Sequence, residues 1–408
     1  MDVSNEQYAY LTALLMGFPA AYIQNKYIKT HLQRNVFGIV ANTITYLTLL
    51  GKNGLIHVFI APLYTLYLSQ KKISPWVAFT VLYVHLAYVQ WKLVSVVTAT
   101  FMMTVLRLVT YTWYMHEKND NTKQKELSDT LLDLYGYTFG IGGFFSGPII
   151  PYDEYAKLPF TPNPKYRTLI TNIIKDCTCF VVLYKVTILY GYSIVTTPEW
   201  KAYTLLYKLT LLPIMSLHAR LKYYLIWKVA EAVCLSIGWT EEQAKNVDIW
   251  AVERAESMYA MINNWNISTA KYLKTCVYDK LRQETSKRAT LFTFMLSAFW
   301  HGFYGGYYLS FASGALLLIT SRAIRKTARP LIVTTTSNTD LNVYLRVMYN
   351  TVGWGLTNIF GAYMMAPFAL LTFKDSMTFY KDTYFIGHIL CFGVLVLTNA
   401  YRQHDVSR

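Results

Sequence analysis

Charged side chains are missing from long runs of this 408-residue sequence. Eight gaps between charged residues, among them Glu6 to Lys26 and Arg346 to Lys374, each enclose roughly 17 to 33 residues, about the length of helix that crosses a bilayer. A water-soluble protein would not repeat that spacing along its length. Because backbone in lipid must satisfy its own hydrogen bonds, the gaps predict an all-α polytopic membrane protein with about ten or eleven transmembrane or membrane-embedded helices.

The sequence also lacks the marks of several protein classes. Its five cysteines form no CxxC pair, so their spacing indicates neither a zinc site nor a disulfide framework. No nucleic-acid-binding module is recognisable. No internal repeat is present, which argues against a transporter built from inverted repeats and leaves a non-enzymatic transporter as the weakest alternative. No basic segment precedes the first apolar stretch, so residues 7–25 are expected to be a retained helix instead of a cleaved signal.

Tyrosine and positive charge are abundant instead. The 35 tyrosines fit either the membrane interface and the wall of a partly wet chamber, or simple helix packing, and the sequence leaves both readings open. The net charge of +15 comes from clusters of lysine and arginine beside the uncharged gaps. Such clusters are typical of cytoplasmic loops that face anionic lipid, and a polyanionic soluble substrate is the alternative.

The chain is expected to form one membrane domain over residues 1–408. Its predicted parts are N-terminal helices within 7–115, a catalytic core at 130–330 and closing helices at 343–401. Apolar residues recur with a helical period between Ile249 and Ile262, which predicts an amphipathic helix there. The sequence alone leaves the oligomeric state open.

One histidine lies in the longest uncharged run. From Ala289 to Ser321 the chain has no Asp, Glu, Lys or Arg, so His301 is the only readily titratable group in that run. Gly302 follows it directly, and glycine beside an imidazole leaves room for a ligand or another backbone. An ionisable group inside a membrane is a functional candidate, because its desolvation must be offset. A packed structural role is the alternative, as it is for four other histidines in apolar surroundings: His57, His85, His218 and His388.

Asn266 is the second candidate. Asn266, Ile267 and Ser268 form a glycosylation sequon, and a lumenal sugar on Asn266 would forbid a buried role. The apolar neighbours of Asn266 and the basic run that follows it suit the cytoplasmic side better.

Three segments carry a resemblance to a known family. "WNISTAKYLKTCVYDKL" contains Asn266, and "SAFWHGFYGGYYLSF" contains His301, 35 residues further on. This pair closely resembles the asparagine and histidine motifs of the membrane-bound O-acyltransferase family. "RATLFTFMLSAFWHG" and "ITSRAIRKTARP" are similar to its lysophospholipid acyltransferases, especially the broad-specificity fungal type. "GGFFSGPIIPYDEY" is similar to the Gly-Pro segment of the same enzymes. Together these matches cover about residues 140–155 and 257–330.

The resemblance implies helices around a central reaction tunnel, His301 and Asn266 as catalytic residues, and residence in the endoplasmic reticulum membrane. The implied reaction transfers a fatty acyl group from acyl-CoA to the free hydroxyl, usually sn-2, of a lysophospholipid, for phospholipid synthesis and remodelling. Acyl-CoA is then a co-substrate, and neither a cofactor nor a metal ion is expected. Another member of the family with a sterol or protein acceptor is the alternative.

The chemistry of that reaction suits the two residues. A lipid hydroxyl is a poor nucleophile, and the neutral imidazole of His301, which burial favours, can take its proton as the alcohol attacks the thioester. The Asn266 amide can donate to the developing oxyanion, or it can orient the substrate or His301; the sequence leaves these roles open.

Substrate-binding candidates fall into three groups. The first two rest mainly on the resemblance, and the third rests on the charge of the stretch between Lys271 and Arg288, for which an ordinary cytoplasmic loop is the alternative. The groups are Trp265, Trp300, Gly302 and Tyr308 beside the two motifs; Gly147 and Pro148 of the Gly-Pro segment, with Tyr152 and Tyr155 just after it, for the lipid side; and Lys271, Lys274 and Arg288 for the CoA phosphates.

Overall fold

A computed structural model describes residues 3–93, 97–118, 127–159, 161, 166–284, 289–333 and 339–406. Within these ranges the chain is helical and forms no strand, which confirms the all-α prediction. The α-helices in chain order are α1 Val3–Leu15, α2 Gly17–Tyr27, α3 His31–Leu50, α4 Leu55–Gln70, α5 Pro75–Lys92, α6 Val97–Glu117, α7 Leu127–Phe139, α8 Tyr152–Ala156, α9 Tyr166–Val186, α10 Pro198–Ala202, α11 Leu205–Ser236, α12 Glu241–Ala244, α13 Ile249–Glu253, α14 Met258–Asn264, α15 Ile267–Tyr272, α16 Asp279–Glu284, α17 Ala289–His301, α18 Gly305–Val333, α19 Thr339–Leu370, α20 Phe373–Asp382 and α21 Ile386–Val406.

The chain forms two compact units. The first unit comprises Met1–Phe180, Tyr223–Val247 and Ile267–Glu284, and the second comprises Val181–Lys222, Asp248–Asn266 and Thr285–Arg408. The predicted core at 130–330 contributes to both units, so the three predicted parts do not coincide with them. The single domain over 1–408 stays a prediction.

Within the first unit, α3 packs on α7, α5 on α6, and α4 on α6. The N-terminus of α3 shows how local sequence determines where a helix begins. Thr30 precedes the helix and its hydroxyl accepts from the Gln33 N–H at 3.2 Å, while the Gln33 side chain accepts from the Thr30 N–H at 3.2 Å. This reciprocal capping box satisfies two backbone donors that the first helical turn leaves without intrahelical partners.

Two helices of the first unit bury polar residues and expose apolar ones. On α3, Arg34 and Asn42 are buried, whereas Val40 and Ile44 are 50% and 56% exposed. Helix α5 carries a similar stripe at helical spacing, formed by Val77, Val81, Val84, Tyr88 and Trp91, which are all exposed. In water this distribution would be unfavourable, because apolar area gains free energy from burial. It suits helices whose outer face meets lipid and whose polar groups find partners inside the protein.

One helical stretch in the described ranges, Gly305–Pro330 of α18, is long and apolar enough by itself to cross a bilayer. A second span would result if Phe373–Asp382 and Ile386–Gln403, which meet at an angle of 70°, act as one broken helix. Other uncharged gaps fall short for different reasons: Leu55–Gln70 is apolar but has only 16 residues, and residues 140–151 of another gap are not helical.

In the second unit, α18 packs against α17, α19 and α21. A buried core beside them combines residues from α10, α11, α19 and α20. Its largest fully buried members include Trp200, Tyr363, Phe379 and Tyr380. This core fixes α19, and with it the C-terminal end of α19 that contributes to the site described below.

Two predicted helices are interrupted. The helical period between Ile249 and Ile262 does not correspond to one helix, because α13 ends at Glu253 and α14 begins at Met258. Ser257 starts the new helix by accepting from the Ala260 N–H at 3.3 Å. Likewise, residues 7–25 divide between α1 and α2 at Met16. Interruptions of this kind explain why the described ranges contain more and shorter helices than the expected ten or eleven.

Candidate active site

His301 is the last residue of α17, and the glycine that follows it ends the helix. Gly302 has φ of 125°, a conformation that residues with a Cβ rarely adopt. Its N–H still bonds to the carbonyls of Ala298 at 3.2 Å and Phe299 at 3.1 Å. The chain therefore turns sharply after the imidazole while the last helical carbonyls stay satisfied.

A second glycine brings another helix end to the histidine. The Gly306 N–H donates to the carbonyl of Leu371 at 2.7 Å. A side chain at position 306 would collide with the carbonyl oxygen of Pro367. The start of α18 can therefore lie directly against the end of α19. This close approach at Gly306 explains how Phe368 reaches the imidazole. Room for a ligand beside Gly302 stays a prediction.

Aromatic rings surround the His301 imidazole. Phe368 meets the ring edge to face with centroids 4.9 Å apart, Phe311 stacks on it at 5.3 Å, and Tyr307 lies at 5.5 Å. Trp300 adds a perpendicular contact at 4.7 Å. We call these four residues the aromatic cage. Tyr307 and Phe311 are four residues apart, so they share a face of α18. This spacing can be read from the sequence.

His301 differs from the other histidines in apolar surroundings. Each of the other four has a hydrogen-bond partner, whereas in the part of the chain that the structure describes neither ring nitrogen of His301 has one. The other pairs are His57 Nδ1 with His85 Nε2 (2.9 Å), His218 Nδ1 with Thr187 Oγ1 (3.0 Å), and His388 Nε2 with Ser313 Oγ (3.0 Å). Buried polar atoms usually find a partner. His301 is half-buried, and its ring nitrogens remain available.

Asn266 lies in the turn between α14 and α15 with φ of 47°. Asparagine adopts this left-handed conformation more readily than most residues that carry a Cβ. On the preceding side, the Asp248 N–H donates to the carbonyl of Asn264 at 3.0 Å. Asn266 and His301 both belong to the second unit. In that unit α14, which ends just before Asn266, packs against α18, which begins just after His301.

The serine of the glycosylation sequon is buried in the first unit. Its N–H and hydroxyl both donate to Asn246 Oδ1, at 3.0 and 2.8 Å. The Asn246 carbonyl accepts from the Ile267 N–H at 2.8 Å. Ser268 therefore does not lie in an exposed loop. Asn246, which is itself buried, is a structural residue that the sequence analysis missed because no motif marks it.

The other motif residues differ in exposure. Trp300 and Gly302 are buried, while Trp265, at the end of α14, and Tyr308, on α18, are half-buried. Trp300 and Gly302 contact or position His301 directly. Substrate binding by Trp265 and Tyr308 stays a prediction.

The Gly-Pro segment, residues 140–151, lies in the first unit and is buried for most of its length. Gly147 has φ of 81° and the Gly147–Pro148 peptide is cis. Arg107, which looks misplaced as a charge inside α6, is 3% exposed and donates to the carbonyls of Thr138 (2.6 Å) and Gly142 (3.2 Å). It thus satisfies one carbonyl of the last turn of α7, which has no intrahelical donor, and one carbonyl of the Gly-Pro segment.

Side chains from other helices also bind the carbonyls of this segment. Tyr10 donates to Phe145 O at 2.6 Å, and Tyr137 donates to Ile150 O at 2.7 Å. Together with Arg107 they give the segment a fixed backbone.

The two tyrosines after the Gly-Pro segment have packing partners. Tyr152 lies in an aromatic cluster, with the Tyr111 ring at 5.0 Å. Tyr155 is buried, donates to Asn35 Oδ1 at 3.0 Å and packs under the Arg34 guanidinium at 5.1 Å. Both contacts stabilise the fold of the first unit. A role of these tyrosines on the lipid side stays a prediction.

The basic residues proposed for the CoA phosphates are largely paired. Lys274 contacts Asp279 at 2.7 Å, and Lys271 lies 3.8 Å from Glu154. Lys280, from the same stretch, contacts Glu117 at 2.7 Å. Carboxylates therefore offset part of the positive charge. Arg288 lies outside the described residues.

Metal binding has no support in the part of the chain that the structure describes, where no three His, Cys, Asp or Glu side chains come together as ligands. The expectation of no metal ion and no cofactor stays a prediction.

Comparisons with known proteins give the family of this chain. Residues 63–366 match the model of the membrane-bound O-acyltransferase family. A Schizosaccharomyces pombe protein named lysophospholipid acyltransferase is 25% identical over 450 aligned positions, covering 98% of this chain and 87% of that protein. A human protein named membrane-bound glycerophospholipid O-acyltransferase 2 is 36% identical over 201 positions, 47% of this chain and 36% of that protein. A Saccharomyces cerevisiae protein named lysophospholipid acyltransferase is 35% identical over 188 positions, 42% of this chain and 30% of that protein. Since the family match spans more than half of the chain and includes Asn266 and His301, the chain belongs to the membrane-bound O-acyltransferase family.

Proposed function

We propose that this protein is a lysophospholipid acyltransferase that transfers a fatty acyl group from acyl-CoA to the free hydroxyl, usually sn-2, of a lysophospholipid. The observation that carries the proposal is His301, whose ring nitrogens have no hydrogen-bond partner among the described residues although aromatic side chains surround the ring. The two fungal relatives are named lysophospholipid acyltransferases, which supports acyl transfer and the same acceptor class.

In this reaction His301 is the general base. An unprotonated ring nitrogen takes the hydroxyl proton while the lipid oxygen attacks the thioester carbonyl. The tetrahedral intermediate collapses, the carbon–sulfur bond breaks, and the imidazolium returns its proton to the departing CoA thiolate. A thioester is already activated, so no serine or cysteine nucleophile is needed.

The aromatic cage suits this role in two ways. Its rings hold the imidazole in one orientation, as a base needs for proton transfer within hydrogen-bond reach. They also provide no carboxylate beside the ring, so no neighbouring charge in the cage favours the imidazolium.

Asn266 supports catalysis through its amide. Either the side chain donates to the oxyanion of the tetrahedral intermediate, or it orients the substrate or His301. Asn266 lies in the turn between α14 and α15, and its left-handed backbone sets the direction in which the side chain leaves the chain.

The protein acts in a membrane, as the family name states. The endoplasmic reticulum, where lysolipids and acyl-CoA meet, is the proposed location of a multi-pass chain. The proposed reaction uses acyl-CoA as co-substrate, without a metal ion or cofactor.

The test is acyl transfer by the purified full-length protein in detergent, with radiolabelled oleoyl-CoA. The acceptors are a panel of lysophospholipids with different head groups, cholesterol, and a serine-containing peptide. Labelled phospholipid is the expected product, and the panel identifies the preferred head group. A labelled sterol ester or peptide would support another acceptor class, and no transfer to any acceptor would contradict enzymatic function.

A further inference from the structure

A cavity opens between the start of α14 and the middle of α18 in the second unit. Its volume is about 270 Å³, which is large enough for a phosphate group and part of the molecule that carries it. Five residues line it: Ser257, Tyr259, Ser321, Arg322 and Arg325. Neither the proposed mechanism nor any candidate selected from the sequence uses this cavity.

The lining has the chemistry of an anion site. Arg322 and Arg325 are three residues apart on α18, so their side chains leave the same face of the helix. The planar guanidinium offers forked N–H donors that match phosphate oxygens. Ser257 accepts from the Ala260 N–H, yet its own hydroxyl hydrogen can still be donated. Tyr259 and Ser321 each add a hydroxyl.

The positive charge of this cavity is not offset. Over the described ranges neither Arg322 nor Arg325 forms an ion pair, and no acidic residue is among those that line the cavity. The lysines between 271 and 280, in contrast, contact carboxylates. An incoming anion would therefore meet more uncompensated charge at the two arginines than at the paired lysines.

The position of the cavity indicates which phosphate it would bind. Arg322 lies eleven residues beyond Phe311, which stacks on His301, so the two are ~16 Å apart along the axis of α18. In a lysophospholipid the phosphate is only a few bonds from the reacting hydroxyl. In acyl-CoA the long pantetheine arm separates the phosphates from the thioester. A phosphate site remote from the base therefore fits the donor better than the acceptor.

We propose that Arg322 and Arg325, with the three hydroxyls of this cavity, bind a phosphate group of the CoA donor. The assignment rests on the proposed function, since it assumes an acyl-CoA donor. It places the CoA phosphates at the α14–α18 cavity instead of the lysines between 271 and 280.

The experiment compares wild type with the double variant Arg322→Gln/Arg325→Gln. Arg329→Gln is the matched control, because Arg329 is also exposed on α18 but does not line the cavity. For each protein the KM for acyl-CoA, the KM for the lysophospholipid and kcat are measured. The double variant is expected to raise the KM for acyl-CoA about tenfold or more with kcat unchanged, because charge-assisted bonds made equally in ground and transition states are lost.

Three kinetic results would overturn the proposal. The first is an unchanged KM for acyl-CoA in the double variant. The second is a rise only in the KM for lysophospholipid, which would assign the cavity to the lipid head group. The third is an equal rise in the Arg329→Gln control, which would indicate a general effect of surface charge.

Direct binding of labelled free CoA to the full-length protein separates this proposal from the proposed function. If the arginines are needed for CoA binding but wild type transfers no acyl group, the site stands and the proposed function fails. If wild type transfers but the double variant binds CoA normally, the site fails and the function stands. Arg322→Lys/Arg325→Lys, which keeps the charge, provides a folded comparison, and it should weaken CoA binding less than the Gln pair does.

Discussion

The Gly-Pro segment of the first unit is held by hydrogen bonds, whereas His301 of the second unit is held by ring packing. Arg107, Tyr10 and Tyr137 each donate to backbone carbonyls in or beside the Gly-Pro segment. The His301 ring packs against the aromatic cage, and its nitrogens stay unbonded within the described residues. Buried carbonyls without donors are costly, so the first arrangement serves stability. An imidazole whose nitrogens have no partner contributes little to stability, which is expected where a side chain is kept for chemistry.

The largest expected effect is on stability, from a substitution that disrupts the hydrogen bonds around the Gly-Pro segment. Arg107→Gln removes the donors to Thr138 O and Gly142 O and should lower the free energy of unfolding by about 3 kcal/mol or more, because buried carbonyls lose their partners. Thermal unfolding in detergent, followed by tryptophan fluorescence, measures this. Arg346→Gln is the control at an exposed arginine. An equal unfolding midpoint in the two variants would show that Arg107 does not hold the segment.

Two substitutions of Asn266 test whether turnover depends on its side-chain amide or on its backbone conformation. Asn266→Ala should reduce turnover on the order of 100- to 1000-fold if the amide stabilises the oxyanion. Asn266→Gly tolerates φ of 47° but also lacks the amide. The two variants should therefore lose turnover equally, as measured by kcat with labelled acyl-CoA. High activity in the glycine variant would mean that only the backbone conformation matters.

The aromatic cage should have a smaller effect. Phe368→Leu removes the edge-to-face contact with His301 at 4.9 Å and should lower kcat about three- to tenfold, since such ring pairs contribute roughly 0.5–1.5 kcal/mol. The KM for both substrates should stay near the wild-type value. Phe392→Leu is the control, because Phe392 is exposed on α21. Equal rates for wild type and Phe368→Leu would indicate that α19 does not orient the base.

The smallest effect is expected for the paired lysines. Lys271→Gln and Lys274→Gln should each change the KM for acyl-CoA by less than about fivefold, because exposed pairs contribute only about 0–1 kcal/mol. Steady-state kinetics at two salt concentrations measures this. A tenfold rise in KM would restore these lysines as the CoA phosphate site and would count against the α14–α18 cavity.

Short sequence motifs were enough to select several residues of the candidate site. The uncharged run predicts an intramembrane helix around His301, but the structure divides this run into α17 and α18 directly after His301. Gly302 makes the turn there, and Gly306 permits the close backbone approach. Phe368 could not be predicted, because it comes from α19, more than sixty residues after His301, and no spacing rule links the two. The role of Arg107 could not be predicted either, because its partners are backbone carbonyls such as that of Thr138 in α7, and sequence alone does not show such contacts.

Average hydropathy was a weaker guide than the placement of charge. Polar residues such as Arg34 and Asn42 are buried on α3 while Val40 and Ile44 face outward. Because the polar groups lie inside, a helix can present an apolar surface to lipid although its composition is mixed. The gaps between charges indicate this arrangement, but they do not show where each helix breaks.

The most direct test of the account compares His301→Ala with His388→Ala, in preparations matched for folded protein. His388 is bonded to Ser313 Oγ at 3.0 Å and to the Tyr363 hydroxyl at 3.3 Å, so it represents a structural histidine of the same unit. Acyl transfer from labelled acyl-CoA to the preferred lysophospholipid is measured together with the unfolding midpoint. We predict that His301→Ala loses transfer by about 100- to 10,000-fold and keeps its midpoint, while His388→Ala unfolds earlier and keeps most of its turnover. Wild-type turnover by His301→Ala would contradict the assignment of His301 as the base.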